Sequence, residues 1–503
     1  MESEQNRARE RLRDPDPEVR YRAVMDLERA DLESLLPRLS DESWRVRKAA
    51  VERLVGLPDP SKAVDALVER LADADDAGAR NSAAEALARI GAPAIPALAT
   101  CLGGEDGDVR KFAADVLGDI RAPAACPALV AALGDADQNV RVAAAEALGK
   151  IGGAEAAGAL EAILGSADGL LQLAALDALA RIGRAPPLGV LAPLARERFL
   201  KRSVLRLLGA TPGRVSLELI AESLKEAARG TREEGFSALA SQLELGQEKP
   251  QVIAQILLAS LKHPSRLAQV AREALGASNP RAVAGAISVL GIVGEAADAP
   301  AIAAAASGEM LRDAAVTALQ AMGVGAGPAL LKALPELQPE ARLVAIEALA
   351  RLRERSALSA LVEVAEEGTE PERLLAIEAL GKLGDPGAIE ALFALMEQHE
   401  LAAPAAEALA ALGKAERSEV LDAARARVSG PVAAWAIRVL GAVGGRDDLP
   451  TLKAALRSER TEVRLAATEA ALALGEPGTE EMLRIALADE APEVRAGAMR
   501  SIS

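Results

Sequence analysis

Aromatic and histidine side chains are scarce in this chain of 503 residues, which has two Trp, one Tyr, four Phe and two His. Single-stranded bases are held by stacking on exposed aromatic rings in a basic groove. Zinc centres in proteins most often use several His or Cys ligands. The two histidines, His263 and His399, stand far apart in the sequence. The composition therefore argues against both kinds of site, and we predict no metal site and no cofactor.

Cysteine and long apolar runs are also sparse. Cys101 and Cys126 lie too far apart for a CxxC redox motif, so we expect two small core residues in a reducing compartment. No uninterrupted apolar run reaches 18 residues, and the opening segment MESEQNRARERLRD has no apolar stretch typical of a secretion signal. The sequence thus predicts a cytoplasmic protein without a membrane span.

Basic residues are fewer than acidic ones. The chain has 58 Lys and Arg and 74 Asp and Glu, which gives a net charge of −16. A protein that binds nucleic acid through its phosphates needs a net basic face, so general nucleic-acid binding is disfavoured. Hydrophobic residues make up 50% of the chain and charged residues 26%. This balance is typical of a folded protein and not of a disordered one.

The dominant feature that is present is an internal repeat of about 31 residues. Residues 137–152, 75–91 and 371–384 read DQNVRVAAAEALGKIG, DDAGARNSAAEALARIG and PERLLAIEALGKLG. We align the repeats on the Arg of the Val-Arg pair and call this position the register residue. The register residues are Arg20, Arg47, Arg80, Arg110, Arg141, Gln172, Lys201, Arg232, Val283, Arg312, Arg342, Arg373, Ala402, Ala433, Arg464 and Arg495.

Apolar residues around each register residue recur with the 3.6-residue period of a helix, as Val140, Ala143, Ala144, Ala147 and Leu148 do. A Gly ends this helix, and a shorter apolar segment follows before a Leu-x-Asp turn whose Asp suits the N-cap of the next helix. Units of this size stack into a solenoid. We predict an all-α, right-handed α-solenoid of about 16 stacked helix pairs.

These elements resemble HEAT repeats, specifically the bacterial phycobilisome-lyase HEAT-like type. The matching features are the apolar-Pro-apolar first helix, the Asp turn, the Val-Arg pair and the Leu-Gly-x-Ile-Gly ending, and they cover nearly the whole chain. The resemblance implies that the second helix of each pair lines a concave face. It also implies a ladder of turn Asp and register Arg between repeats, in which we place Asp135 with Arg141 and Asp489 with Arg495.

The register is interrupted once. The interval between the register residues Arg232 and Val283 is longer than one period and shorter than two. Segments rich in Gly and Pro punctuate this stretch. We therefore predict one continuous solenoid in three parts. These are an N-terminal array over 1–245, an irregular or lengthened repeat over 246–282, and a C-terminal array over 283–503.

Acidic residues stand five positions after the register residue in many repeats, and we call them the carboxylate row. Equivalent positions of a regular solenoid align into a stripe, which would receive a basic partner surface. The alternative is neutralisation by a cation four residues later, as in the sequence pairs Glu85–Arg89, Glu146–Lys150 and Glu378–Lys382. Glu52 and Asp115 lack such a cation. The row comprises Glu52, Glu85, Asp115, Glu146 and Asp177, and then Glu347, Glu378, Glu407 and Glu469.

Three further features are candidates for partner contact. A basic cluster around Phe199 contains Arg198, Lys201, Arg202 and Arg206, with Arg196 and Arg214 nearby. We expect Arg198, Arg202 and Arg206 to share one helix face, because they are spaced by four residues. The positive charge of such a face is neutralised either by carboxylates of neighbouring repeats or by an acidic or phosphate-bearing partner. Trp44 and Trp435 are packed, line the inner face, or serve as anchors for a partner.

The sequence favours a non-catalytic protein-binding scaffold or adaptor with a regulatory role in a bacterial signalling pathway. Its partner would be another protein, one with a basic surface if the carboxylate row is the contact. A phycobilin-lyase-like enzyme or subunit and a structural spacer are the alternatives. HEAT-like hydroxylases that bind two metals use several His-Glu pairs, whereas this chain has one, His399-Glu400.

Overall fold

The computed structural model describes residues 2–27, 31–73, 75–261, 264–475 and 479–499. Over these ranges it contains 33 α-helices and ten short 3-10 helices, and no β-strand. The chain divides into two compact units, which we call unit 1 (Met1–Ile256) and unit 2 (Leu257–Ser503).

The α-helices of unit 1 are α1 (Glu2–Arg11), α2 (Pro17–Asp26), α3 (Leu32–Leu35), α4 (Trp44–Val55), α5 (Val64–Leu71), α6 (Ala77–Ile90), α7 (Ile95–Cys101), α8 (Gly107–Ile120), α9 (Cys126–Ala132), α10 (Gln138–Ile151), α11 (Gly153–Ala162), α12 (Gly169–Ile182), α13 (Leu188–Leu194), α14 (Lys201–Gly209), α15 (Arg214–Ser223) and α16 (Arg229–Leu245). The boundary between the units falls within α17 (Pro250–Leu261).

The α-helices of unit 2 are α18 (Pro264–Ala274), α19 (Pro280–Val293), α20 (Ala299–Ala305), α21 (Glu309–Met322), α22 (Ala326–Ala333), α23 (Pro339–Leu352), α24 (Leu358–Glu367), α25 (Glu370–Leu383), α26 (Ala388–Leu395), α27 (Ala402–Leu412), α28 (Arg417–Arg425), α29 (Ala433–Val443), α30 (Leu449–Ala455), α31 (Thr461–Leu474), α32 (Thr479–Leu487) and α33 (Pro492–Met499).

Every register residue lies in the second helix of a pair, for example Arg141 in α10 and Arg464 in α31. The predicted all-α solenoid of about 16 helix pairs is confirmed. The predicted irregular repeat over 246–282 contains α17 and α18, which is one helix more than the spacing of the other pairs provides. The three-part division itself stays a prediction.

Helix α10 shows how the sequence of a repeat produces its second helix. The carboxylate of Asp137 at the N-cap accepts a hydrogen bond from the amide of Asn139 at 2.7 Å. Gly152 ends the helix with φ of 73°, a conformation that strongly favours glycine. The predicted apolar positions Val140, Ala143 and Leu148 are all buried. The apolar stripe therefore provides the core, and the two caps set the length of the helix.

Adjacent second helices touch each other through a Gly and an Ala. A Cβ atom added to Gly149 would lie 2.8 Å from Ala178 Cα, and one added to Gly118 would lie 2.8 Å from Ala147 Cα. Real Cβ atoms do not approach that closely, so only glycine allows the two backbones to pack at this distance. The same contact recurs in both units, as Gly209–Ala238, Gly291–Ala318, Gly381–Ala408 and Gly441–Ala470.

These contacts occupy fixed positions of the repeat. The Gly stands eight residues after one register residue, and the Ala stands six residues after the next. The Leu-Gly dipeptide of the repeat was assigned above only to the end of the helix. Its Gly has the separate task of setting the spacing between helices, and the recurrence of Ala at the sixth position is the sequence signal for it.

A ladder of ion pairs joins successive repeats in the regions where the pattern is regular. The guanidinium of Arg110 binds the Asp135 carboxylate at 2.8 and 2.9 Å, and Arg464 binds Asp489 at 2.8 and 3.0 Å. Each guanidinium also donates to carbonyl oxygens of its own turn, as Arg110 does to Gly104 and Glu105. Further rungs are Arg20–Asp41, Arg141–Asp168 and Lys201–Glu226.

The pairing within the ladder differs from the prediction. Arg141 donates to the main-chain carbonyl of Asp135 at 2.8 Å, and its guanidinium pairs with the carboxylate of Asp168 in the next repeat. Arg495 donates to the main-chain carbonyl oxygens of Asp489 and Glu490, while the carboxylate of Asp489 pairs with Arg464 of the preceding repeat. The prediction was wrong by one repeat, because the long Arg side chain reaches forward to the next turn.

One described stretch, Glu309–Glu336, is long and apolar enough to cross a membrane by length and composition alone. It is not one straight helix, because α21 ends at Met322 and Gly323 takes a φ of 74°. Helix α22 then runs as the first helix of the next repeat and packs against α20 and α23. The apolar stretch Glu309–Glu336 is thus divided between α21, the second helix of one repeat, and α22, the first helix of the next.

We predict that Gly149→Ala destabilises unit 1 by about 1–3 kcal/mol, the usual cost of adding a methyl group to a filled contact. The added Cβ would lie 2.6 Å from Ala178 Cβ. Gly158→Ala in α11 is the matched control, since a Cβ there meets nothing within 4 Å. It should be neutral or stabilise by up to about 1 kcal/mol. Urea unfolding compares the two variants, and equal midpoints would disprove the role of the Gly–Ala contact.

Hydrogen bonds from Arg141, together with the Leu171 amide, lower the pKa of Asp168 to about 2. The ordinary pKa is near 3.8, so the charged form is favoured in the folded state. This contribution to stability is therefore present above about pH 4 and is lost as the pH falls towards 2. We predict that Asp168→Asn lowers the unfolding midpoint at pH 7 and that this difference shrinks between pH 4 and 2. The exposed Glu69→Gln should leave the whole profile unchanged.

Candidate interaction site

The second helices α8, α10 and α12 of unit 1 together form an open groove of about 360 Å³. Three successive members of the carboxylate row, Asp115, Glu146 and Asp177, line it. They share the groove with an apolar floor that includes Val142 and Leu173. The remaining lining residues are Lys111, Gln138, Asn139, Ala143, Leu170, Ala174, Ala178 and Arg181.

The two outer carboxylates of the groove have partners. Lys111 Nζ lies 2.8 Å from Asp115, at i−4 on the same helix. Asp177 is 3.1 Å from Arg206 and accepts a hydrogen bond of 2.8 Å from the Ser203 hydroxyl. Asp115 has no cation four residues later, as the sequence shows, but Lys111 four residues earlier compensates its charge.

The central carboxylate, Glu146, has no cation within ion-pair distance among the residues that the structure describes. The predicted partner Lys150 reaches across Gly118 instead and binds Asp119 of the preceding second helix at 2.7 Å. Arg181 contacts the main-chain oxygen of Glu146 at 3.5 Å and not its carboxylate. The pair Glu146–Lys150 was therefore wrongly predicted, and an exposed, unpaired negative charge remains at the centre of the groove.

The other members of the row in unit 1 lie on α4 and α6. Glu52 is exposed and forms no ion pair with any described residue. Glu85 is exposed and stands 3.6 Å from Arg89, as the spacing predicted. Both side chains face solvent, but they lie outside the lining of the groove.

The corresponding surface of unit 2 is more strongly neutralised. Glu347 binds both Arg312 at 2.9 Å and Arg351 at 2.7 Å. Glu378 pairs with Lys382 at 2.5 Å, as predicted. A smaller groove of about 170 Å³ contains these residues. In unit 1, Glu52 and Glu146 thus form no ion pair with a described residue, while the other three members of the row are paired, as are Glu347 and Glu378 in this part of unit 2.

The two tryptophans differ in their surroundings. Trp44, the first residue of α4, is 64% exposed. It occupies the repeat position of Gln138, which lines the groove. Trp435 is half-buried, and the guanidinium of Arg438 lies 4.6 Å from its ring centre while also binding Glu469. Trp44 is accordingly the tryptophan with free surface for a partner.

The basic cluster is divided by the structure. Lys201 belongs to the ladder, and Arg206 is held between Asp177 and Glu234. Arg198 lies in the turn before α14, so the expectation that it shares a helix face with Arg202 was wrong. The residues of the cluster that form no ion pair within the described ranges are Arg196, Arg198 and Arg202, beside Phe199, which is 57% exposed.

No group of three or more His, Cys, Asp or Glu side chains within the described ranges is arranged to hold a metal ion. His399 is exposed in a turn, and His263 lies outside the described residues. Cys126 is buried and Cys101 is partly buried, and burial raises the pKa of both thiols.

The fold and the repeat define an α-solenoid repeat protein. The family model of HEAT repeats matches residues 6–88, 95–180, 327–413 and 418–503, which is well over half of the chain. The chain therefore belongs to the HEAT-repeat family. A second model, of PBS lyase HEAT-like repeats, matches residues 79–104. A comparison with curated proteins finds no matching sequence.

Known structures are similar at low sequence identity. A chain in a homology model of the AP-3 complex in an intermediate open conformation is 13% identical, with a TM-score of 0.51 over 99% of this chain and 96% of that chain. A chain of the Kap95p–RanGDP structure is 13% identical, with a TM-score of 0.49 over 99% and 78%. The CpcE–CpcF phycocyanin lyase from Nostoc sp. is 22% identical, with a TM-score of 0.30 over 51% and 94%. At 13% identity the likeness to the AP-3 chain shows the fold alone.

The tryptophan environments predict a difference in fluorescence quenching. In a Trp435→Phe variant the remaining Trp44 should be quenched strongly by acrylamide, because most of its surface faces solvent. In a Trp44→Phe variant Trp435 should be quenched several-fold less, since Arg438 covers its ring. Similar quenching constants for the two variants would contradict these placements.

Proposed function

We propose that this protein is a non-catalytic scaffold or adaptor whose groove on α8, α10 and α12 binds a basic surface of another protein. The observation that carries the proposal is Glu146 at the centre of the groove, which is exposed and forms no ion pair with any residue that the structure describes. Asp115 and Asp177 on either side extend the negative surface, and Val142 and Leu173 offer apolar contact. Charge complementarity at such a surface supplies specificity and faster association.

A protein partner fits this surface better than nucleic acid. The net charge of −16 repels phosphates at long range. The groove is open to solvent and spans several helices, whereas catalytic sites gain from excluding water. A broad surface that combines modest apolar and charged contacts is typical of protein recognition.

The same proposal includes a cytoplasmic location and a regulatory role in a bacterial signalling pathway. The regulatory role rests on the use of this repeat type in bacterial proteins, and the location rests on the two free cysteines, which suit a reducing compartment. Trp44 is proposed as an apolar anchor for the partner, and the turn around Phe199 as a second contact. The match of residues 79–104 to PBS lyase HEAT-like repeats favours a lyase-like enzyme as the second candidate.

The proposal is tested by recovering partners from the native host with the wild-type chain and two charge-reversed variants. The wild-type chain should recover a basic protein in a fixed ratio. Glu146→Lys should reduce the amount recovered by about three- to tenfold, which corresponds to a loss of roughly 0.7–1.4 kcal/mol of binding free energy. Glu407→Lys is the matched control. Glu407 is also an exposed member of the row without an ion pair in the described structure, but it lies in unit 2, outside this groove.

The expected pattern includes a salt dependence, because wild-type binding should weaken as ionic strength rises. If both variants recover equal amounts of the partner, the groove is not the site that binds it. A bilin transferred to a phycobiliprotein subunit by the purified chain would overturn the non-catalytic proposal in favour of the lyase. A chain that recovers no partner under any condition would support a structural spacer instead.

A further inference from the structure

The turn that joins α13 to α14 departs from the pattern of the preceding repeats. Helix α10 begins three residues before its register residue Arg141, whereas α14 begins at its own register residue, Lys201. The residues that would form the first turn of α14 therefore lie in a loop. There the Glu197 carbonyl accepts a hydrogen bond from the Lys201 amide at 3.0 Å. Arg198 and Phe199 stand between these two residues, and both are exposed.

Phe199 presents an aromatic ring to solvent in this turn. It is 57% exposed, and of the two Trp, one Tyr and four Phe of the chain only Trp44 is more exposed. Phe236 and Phe393 are buried, as is usual for large apolar side chains. Transfer of an exposed ring from water to the surface of a partner is favourable. Aromatic residues and Arg are enriched at the centre of protein interfaces, so the ring is a candidate contact.

Three exposed guanidinium groups accompany this ring, and they belong to Arg196, Arg198 and Arg202. None of the three forms an ion pair with a residue that the structure describes. The fourth cation of the stretch, Lys201, is neutralised by Glu226 at 2.6 Å. Glu197 is the one acidic residue between positions 196 and 202. The stretch thus keeps an excess of positive charge in a chain whose net charge is −16.

The guanidinium of Arg202 packs on the next second helix. A Cβ atom added to Gly230 would lie 3.6 Å from Arg202 Cζ and 3.7 Å from its Nη1, and Gly230 belongs to the first turn of α16. The amides of a first helical turn carry partial positive charge, so this contact does not neutralise the guanidinium. Packing therefore positions Arg202 while its charge remains available to an anion, and a positioned side chain loses less entropy on binding.

The carboxylates next to these arginines favour a protein segment over a polyanion. One helical turn beyond Arg202, Arg206 is already bound by Asp177 and Glu234. A nucleic-acid strand carries a phosphate at every nucleotide, so its charges would continue past the arginines towards those carboxylates. A protein segment can carry two carboxylates for the guanidinium groups and an apolar side chain for Phe199, with neutral residues on either side. Guanidinium groups bind carboxylates in a bidentate, charge-assisted geometry.

We propose that the turn around Phe199 binds an acidic segment of a partner protein. Arg198 and Arg202 each bind a carboxylate of the segment, and Phe199 contacts an apolar side chain between the two. Arg196 adds positive charge beside them. This inference rests on the proposed function in one respect, that the chain binds proteins. It concerns a second surface of opposite charge and requires neither the groove nor Glu146.

The test measures the binding of fluorescein-labelled peptides to the full chain by fluorescence anisotropy. The ionic strength is about 0.15 M, at which charges more than about 8 Å apart are largely screened. The acidic peptide has the sequence Gly-Ser-Glu-Phe-Glu-Ser-Gly, and the neutral peptide has Gln in place of both Glu. The acidic peptide should bind about fivefold more tightly, because its two carboxylates form ion pairs with the exposed arginines.

Arg198→Glu combined with Arg202→Glu should weaken binding of the acidic peptide about tenfold, because both ion pairs become repulsive. Arg13→Glu combined with Arg121→Glu is the matched control and should bind as the wild type does. Arg13 and Arg121 are also exposed arginines in turns of unit 1, without an ion pair to a described residue. Phe199→Ser should weaken the acidic peptide about threefold. It should not change the affinity of an acidic peptide in which Ser replaces Phe.

Equal affinities for the acidic and neutral peptides would overturn the inference. An equal loss in the control variant would also overturn it, because the attraction would then depend on net charge and not on this turn. A single-stranded oligonucleotide that binds more tightly than the acidic peptide, and is lost in the Arg198→Glu, Arg202→Glu variant, would assign the turn to nucleic acid instead. None of these results alters the recovery of a basic partner through the groove, so failure of this inference is distinguishable from failure of the proposed function.

Discussion

The close contact between a glycine and an alanine of successive second helices is the constraint on which the structure depends. At Gly149 any larger side chain would overlap Ala178, so the helices can pack with their backbones nearly touching. This contact sets the spacing of the helices, and the spacing in turn places the side chains on their exposed face. Equivalent residues of successive second helices therefore lie side by side, as Asp115, Glu146 and Asp177 do in the groove.

Close packing also decides which charges remain available. Gly118 has no side chain to block Lys150, which passes over it and binds Asp119 of the preceding helix. Because Lys150 pairs with Asp119, it does not compensate the charge of Glu146. In the ladder, long Arg side chains also extend to the next repeat, where Arg110 and Arg464 neutralise carboxylates of the following turn. Pairing between repeats therefore stabilises one edge of the array and exposes negative charge in the groove.

The sequence predicted the fold and the positions of the row, because both follow from periodicity. The helices, the Gly end of α10 and the pairs Glu85–Arg89 and Glu378–Lys382 were all accessible from spacing within one helix. The errors concern neighbours in space. Arg198 precedes the start of α14, and the partners of Asp135 and Lys150 belong to adjacent repeats. A helical period contains no information on how far a long side chain reaches between helices.

By itself the sequence determined that this chain is an all-α repeat protein of the HEAT family, since a 31-residue period of amphipathic helices buries its apolar faces only by stacking. It also determined which repeats carry an acidic residue at the fifth position. Only the tertiary structure decided that Asp115, Glu146 and Asp177 share a groove, and that of these three Glu146 alone forms no ion pair with a described residue. The physical reason is that the availability of a charge depends on contacts between repeats, which the order of residues within one repeat does not specify.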